Sequence, residues 1–301
     1  PEAAKRTAEA YHELYNSLPV PDELKSSAFK DEIEEYYPFH PMLIKVLYEK
    51  VATIDKFQRT RGALRLMARV VRKIWEEKSE DASLIMPYHV DLADDEIRDE
   101  LTTHIGESKL RNAIEADVWN DAGTATAQKF DKQAISHWEA PLVRRACNIV
   151  YLYSLATGRL GDRGIRSDLL VSLSVTPARR EDFMKVRDIV LKILSDEFHY
   201  IDKQGERFVF VREPTPVRVI DLQARDVTEE EVIELVKEKL IEIFQKESKG
   251  PSWIYLELFP PSPGRLPDEA KIQVAILNPV LHTLEGTTIP ETIQRLSLIH
   301  I

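Results

Sequence analysis

The chain has 301 residues, 43% of them hydrophobic, and a formal net charge of −10. That is enough apolar content for two or three domains, and the wrong sign for a chain that coats nucleic acid along its whole length. No apolar run reaches the roughly 20 residues of a membrane span, the N-terminus is not a signal peptide, and the single Cys147 excludes an internal disulfide or a cysteine-rich zinc site. The expected setting is cytoplasmic, with no membrane partner. The charge is uneven: residues 142–212 carry 13 basic and 9 acidic side chains and are the only basic third, with balances of −8 before them and −6 after.

A first helix is expected from Ala3 to about Ser17, ended by Pro19 and Pro21, which deny it continuation. A second covers Ala28 to Tyr36. Pro38 and Pro41 bracket Phe39-His40, and Pro41 suits the first turn of a helix running to about Val51. His40 sits in an aromatic, proline-rich junction, where a structural hydrogen bond outweighs a catalytic role.

The next stretch, Phe57 to Trp75, organises the chain. Thr60 can cap a helix, and Leu64, Met67, Val70, Val71 and Ile74 recur at three- and four-residue steps, predicting one buried face. Arg61, Arg65, Arg69 and Arg72 form a second, basic stripe. Arg59 and Arg61 fall at the helix start, where the backbone dipole favours an anion and paired guanidiniums suit a phosphate. The plainer reading is a solvated basic face.

Gln58-Arg59-Thr60-Arg61-Gly62-Ala63-Leu64 resembles the sensor-2 segment of AAA+ ATPases, in which an arginine opens a lid helix and is followed by a small residue and a leucine. The longer run from Tyr36 to Trp75 is similar to part of the large prokaryotic AAA+-type ATPases often catalogued as a domain of unknown function. The likeness continues, more weakly, through Asp91 to Leu101 and beyond. It implies that Arg61 reaches the γ-phosphate of a nucleotide, with Arg59 and Thr60 beside it. No Walker A or Walker B motif is present in the sequence. ATP and Mg²⁺ would therefore belong to a longer parent protein, held by an upstream core, and this chain alone would bind neither. Oligomers would form through that core.

Beyond the charged run Glu76 to Asp81, DDEIRDELTTHI and KLRNAIEADVW predict a helical pair. Asp117, Asp121 and Asp131 lack the spacing and glycine of a calcium loop and read as solvated or capping residues. Leu142 to Ala156 is a strongly apolar helix, with Cys147 on its packing face. Ile165 to Leu173 and Arg179 to Phe198 follow as helices, and HYIDKQGERFVFV as a hairpin with glycine in its turn. Three helices and a two-stranded wing predict a winged helix. Its candidate nucleic-acid contacts are Arg166, Arg179, Arg180, Lys185, Lys203 and Arg207, interleaved with the acids Glu181, Asp182, Asp188, Asp202 and Glu206.

Past Pro214 and Pro216, Thr228 and Glu231 form a capping-box pattern before a helix with core face Val232, Leu235, Val236, Leu240, Ile243 and Phe244. WIYLELF and KIQVAILNP read as strands of an incomplete α/β domain. The closing LSLIHI resembles a translated sequencing adaptor.

The expected fold is mainly α. Residues 1–37 form a helical connector from an upstream core, 38–140 a lid-type bundle and 141–215 a winged helix. Residues 216–295 form a partial α/β domain and 296–301 a non-native tail. The expected function is the lid and winged-helix portion of an AAA+-type ATP-hydrolysing protein, coupling nucleotide state to remodelling of nucleic acid or protein. The alternatives are a nucleotide-independent winged-helix DNA-binding module and a helical protein-interaction scaffold.

Overall fold

A computed structural model describes residues 1–49, 51–54, 57, 60–77, 83–134, 140–155, 163–214, 216–225, 227–247, 254–259 and 272–276. The chain divides into two compact units, Pro1–Leu222 and Gln223–Ile301. Arg59, the 296–301 tail and the proline-rich loop after residue 259 lie outside the described residues.

The first unit is mainly helical. Helix α1 (Glu2–Ser17) buries Ala4, Ala8, Tyr11, Leu14 and Tyr15, a three-and-four spacing that puts them on one face. It packs against α3 (Ser27–Tyr36), which follows the short α2 (Asp22–Lys25). Ser26 caps α3 by accepting from the Phe29 N–H at 3.1 Å. Helix α4 (Pro41–Glu49) is capped by an imidazole: His40 Nδ1 accepts the Met42 N–H at 3.2 Å. A backbone N–H can only donate, so the ring proton is on Nε2, which donates to the Tyr15 hydroxyl at 3.0 Å. Burial, assisted by Lys45, lowers the imidazole pKa to about 3. His40 is therefore a neutral structural residue, as its setting suggested.

Helix α5 (Thr60–Glu77) is where the predicted core face needs correction. It buries Gly62, Leu66 and Val70. Leu64 is 66% exposed and Val71 41% exposed, while Met67 and Ile74 are only partly covered. Apolar residues occupy much of the circumference of α5, so periodicity alone leaves its rotation open. Ion pairs described below turn Arg65, Arg69 and Lys73 toward the rest of the unit, which rolls Leu64 and Val71 outward. Gly62 is required sterically: a Cβ there would lie 1.8 Å from the Phe57 carbonyl oxygen. Thr60 is the first helical residue rather than the residue before the helix, a difference within the usual blur of helix ends.

A 3₁₀ turn, Pro87–His89, leads into α6 (Asp95–Glu100), α7 (Ser108–Asp117) and α8 (Thr126–Ala134). The central helix α9 (Leu142–Ser154) is buried over nearly its whole surface. Its free N-terminal groups are satisfied from another helix: Asp131 of α8 accepts from Val143 N–H at 2.9 Å and Arg144 N–H at 3.0 Å. Asp117 is also buried, accepting from Tyr200 N–H at 2.6 Å and so tying the end of α7 to the chain entering the sheet. Of the two roles expected for these aspartates, Asp131 takes the capping one, Asp117 ties backbone N–H groups from a buried position, and Asp121 is solvated.

Residues 165–210 hold a three-stranded antiparallel sheet in the order β1 (Ile165–Arg166), β3 (Arg207–Phe210), β2 (Ile201–Gln204). Ile165 pairs with Phe208, and Ile201 with Phe210. Gly205 takes a φ of 61° in the β2–β3 turn, as the glycine-containing hairpin predicted. The expected helix from Ile165 is corrected to a two-residue strand followed by α10 (Ser167–Leu173). The expected single helix 179–198 is a 3₁₀ turn, Pro177–Arg179, then α11 (Asp182–Lys185), a π-helical segment (Val186–Val190) and α12 (Leu191–Asp196). Helix α13 (Pro216–Arg225) follows.

In the second unit, α14 (Glu229–Glu247) starts with the reciprocal cap read from sequence. Glu231 accepts from the Thr228 N–H at 2.9 Å, and Thr228 Oγ1 from the Glu231 N–H at 3.3 Å. Four residues of its expected core face, Val232, Leu235, Val236 and Ile243, are more than a third exposed, and Leu240 is partly covered. Strands β4 (Ile254–Leu258) and β5 (Ile272–Ile276) pair in parallel, Ile254 opposite Ile272. Among the described residues, no helix is long and apolar enough to cross a membrane.

Candidate functional site

The basic stripe of α5 separates into two parts. Glu100, with no exposed side-chain surface, receives Arg65 Nε at 3.0 Å, Arg69 Nη1 at 2.8 Å and His104 Nδ1 at 3.1 Å. Arg69 also donates to the Glu96 carbonyl at 2.7 Å, and Arg72 pairs with the Glu96 carboxylate at 2.9 Å. Burial alone would raise the Glu100 carboxyl, but Arg65, His104 and Arg69 outweigh it and hold it below the ordinary range. Arg65 and Arg69 are thus staples between α5 and the buried Glu100 of α6, while Arg72 makes a half-exposed pair with Glu96 beside them. Glu96 and Glu100 escaped the sequence reading, although their spacing of four matches that of Arg65 and Arg69.

Lys73 extends the staple. Its Nζ donates to Asp91 at 3.0 Å, and Arg144 of α9 lies 3.5 Å from the same carboxylate. Asn148 bridges the Asp91 carboxylate, at 3.1 Å, and the Tyr88 carbonyl, at 3.1 Å. Burial works against ionisation of Asp91, and Arg144 and Lys73 override it, keeping the carboxyl low. This network joins α5, the 84–94 segment and α9, and its buried polar groups are hydrogen-bonded as burial demands.

Arg61 differs from its neighbours. It is exposed, in the first turn of α5, and no ion pair or hydrogen bond holds it among the described residues. Beside it, Ile44, Leu47 and Tyr48 of α4 with Thr60, Ala63, Leu64 and Met67 of α5 line an open, mainly apolar groove of about 750 Å³. Tyr48 stands 79% exposed on its rim. Of the three expected nucleotide-sensing residues, then, Arg61 and Thr60 lie together at the helix start beside this groove.

The six candidate nucleic-acid contacts do not form one free basic surface. Arg166 is held by Asp168 through two bonds of 3.0 and 2.7 Å. Lys185 donates to buried Asp182 at 3.0 Å, with Arg179 4.0 Å from the same side chain. Arg207 donates to the Gly164 carbonyl at 3.1 Å, and Lys203 lies over the Phe208 ring at 5.9 Å. Arg180 alone is exposed without such a partner among the described residues. On the same helical segment, Met184 and Ile189 are about half exposed.

Cys147 is fully buried, and burial pushes its thiol pKa up. That makes it a packing residue, not a nucleophile. Among the described residues, no group of three His, Cys, Asp or Glu side chains is arranged to hold a metal.

No curated protein and no solved structure matches the chain. A family model described as DUF499 second domain matches residues 1–210. Those residues are the helical first unit up to the end of β3, including α5, its staple to α6 and the three-stranded sheet. The match spans more than two thirds of the sequence, and the chain belongs to the DUF499 second-domain family.

Proposed function

We propose that this chain is a non-catalytic regulatory part of an AAA+-type ATP-hydrolysing protein, with α5 as its lid helix and Arg61 as the residue that senses the γ-phosphate. The observation that carries the reading is the contrast within one stripe. Arg65, Arg69 and Arg72 are spent on Glu100 and Glu96, while Arg61 is left exposed at a helix N-terminus, where backbone dipoles already favour an anion. A family description that calls this a second domain agrees with a first domain upstream that would hold ATP and Mg²⁺. Residues 141–215 are read as a winged helix, because the strand before α10 and the hairpin after α12 follow the order of that motif.

The test is Arg61→Ala in the longer ATP-hydrolysing protein. Loss of one transition-state donor should slow hydrolysis roughly 100- to 1,000-fold, about 2.7–4 kcal/mol, and leave the melting temperature unchanged. Arg65→Ala is a stability variant rather than a neutral control, because it removes three hydrogen bonds to Glu100. Equal hydrolysis by Arg61→Ala and wild type would end the reading.

A second reading concerns the partner of the winged-helix region. Five of its six basic candidates are engaged locally, and Met184 and Ile189 stand exposed on the helix that would otherwise read bases. This favours docking of protein over DNA.

A further inference from the structure

Three apolar side chains on α5 stand exposed: Trp75 at 83%, Leu64 at 66% and Val71 at 41%. At about 100° per residue they fall within about 40° of one another around the helix axis, so they form one stripe. Apolar stripes of this kind, anchored by an exposed tryptophan, mark interaction surfaces. The stripe is also nearly symmetric end to end. Leu64 and Trp75 lie roughly 16 Å apart along the axis, with Ala68 and Val71 between them.

The flanking charges say what can cover it. Arg61 and Glu76 lie on the same side of the stripe, one at each end of the helix and both exposed; Glu76 makes a long, exposed 3.9 Å pair with Arg72 of its own helix, which solvent can replace and a second copy's Arg61 can compete for. A two-fold axis perpendicular to a helix brings each flank against its own copy running the other way. Arg61 of one chain then meets Glu76 of the second, and Glu76 meets Arg61. The same operation carries Trp75 to the level of Leu64, beside the groove formed with Ile44, Leu47, Tyr48 and Met67. The small Ala68 falls near the crossing point, where a short side chain permits close approach.

We propose that this face of α5 is a self-association surface. Two copies of the chain pair with their α5 helices antiparallel, each Trp75 seated in the α4–α5 groove of the other and each Arg61 paired with the other's Glu76. The proposal does not rest on the nucleotide reading, since it uses only the shape and charge of the face. It makes pairing and phosphate contact alternative engagements of one guanidinium, so the paired state withholds Arg61 from a nucleotide.

The experiment is sedimentation equilibrium of the full 301-residue chain at about 100 µM, where an interface with a dissociation constant near 10 µM is mostly dimeric. Wild type should sediment as a dimer. Trp75→Glu should be monomeric with an unchanged circular dichroism spectrum, because that side chain supports no part of its own fold. Arg61→Glu should weaken dimerisation at least tenfold. Arg61→Glu combined with Glu76→Arg should restore it, because the pair re-forms with reversed sign. A monomeric wild type would overturn the proposal and give the face to another occupant, such as a helix of a different protein. A dimer indifferent to Trp75→Glu, or a double variant no tighter than Arg61→Glu, would overturn it as well. None of these outcomes depends on hydrolysis, so the nucleotide reading can fail separately.

Discussion

The α5–α6 face and the region from Arg166 to Arg207 are both rich in basic side chains, and in both most of that charge is consumed inside the protein. They consume it differently. On α5, Arg65 and Arg69 reach a carboxylate 35 and 31 positions away that has no exposed surface. In the second region the ion pairs are local: Arg166 with Asp168, Lys185 with Asp182, Arg187 with Asp188. The first kind fixes how two helices pack. The second cancels charge without joining elements. A basic stripe is therefore evidence of a binding surface only for those members that remain unpaired after folding, which among the described candidate residues are Arg61 and Arg180.

The comparison breaks most visibly at Glu100. Glu100→Ala should destabilise the protein by about 3 kcal/mol, near the low end for breaking a buried ion pair, because the freed Arg65 and Arg69 can turn to water. The urea midpoint should fall with its slope unchanged. A shift no larger than that of a surface substitution would mean that the α5–α6 staple contributes nothing to the packing.

Acid sharpens the same contrast. The Glu100 carboxyl is held below its ordinary range, so the folded state binds its proton less tightly than the unfolded chain does. Its contribution is then fully present above the unfolded value of about 4.3 and is lost as pH falls toward the folded value. Glu100→Gln cannot titrate there. The stability gap between wild type and Glu100→Gln should be widest at neutral pH and narrow progressively below about pH 4.3. Comparing the two proteins cancels the other titrating groups, including His40, which loses stability over a higher window as it is forced to charge. A gap independent of pH would show that the carboxylate is not preferentially ionised in the folded protein.

What the sequence disclosed follows the range of the interactions. The Thr228–Glu231 cap, the Gly205 turn and the acids beside Arg166 and Lys185 are local, and all could be read from neighbouring letters. The rotation of α5 could not. Two faces of that helix are apolar enough to be buried, and the choice is made by Glu100 and Asp91, which the chain brings into place only on folding. Asp131 is a similar case. It caps α9 from α8, and nothing in the residues around it distinguishes it from the solvated Asp121. Arg61 was legible as the first arginine of a stripe. That it would be the one left unpaired was not, because its distinction depends on where α6 ends.

The smallest expected effect comes from the local pairs, and it tests the comparison from its other side. Arg166 makes a two-bond pair with Asp168, which by bonding geometry alone would rank with the Arg65–Glu100 contact. Geometry is not the deciding quantity. Both Arg166 and Asp168 are close to half exposed, so in the unfolded chain each exchanges this bond for water at little cost, and two residues of separation mean that the pair closes no loop. Such exposed pairs contribute about 0.2–1 kcal/mol, and Arg166→Ala should fall at the bottom of that range, moving the urea midpoint by little more than the error. The effect should shrink further in ~0.5 M salt, where the screening length is only a few ångströms, whereas the loss from Glu100→Ala should persist because solvent does not reach that carboxylate. If Arg166→Ala costs as much as Glu100→Ala, or is equally indifferent to salt, then bond count outweighs burial here and the distinction between the two basic regions fails.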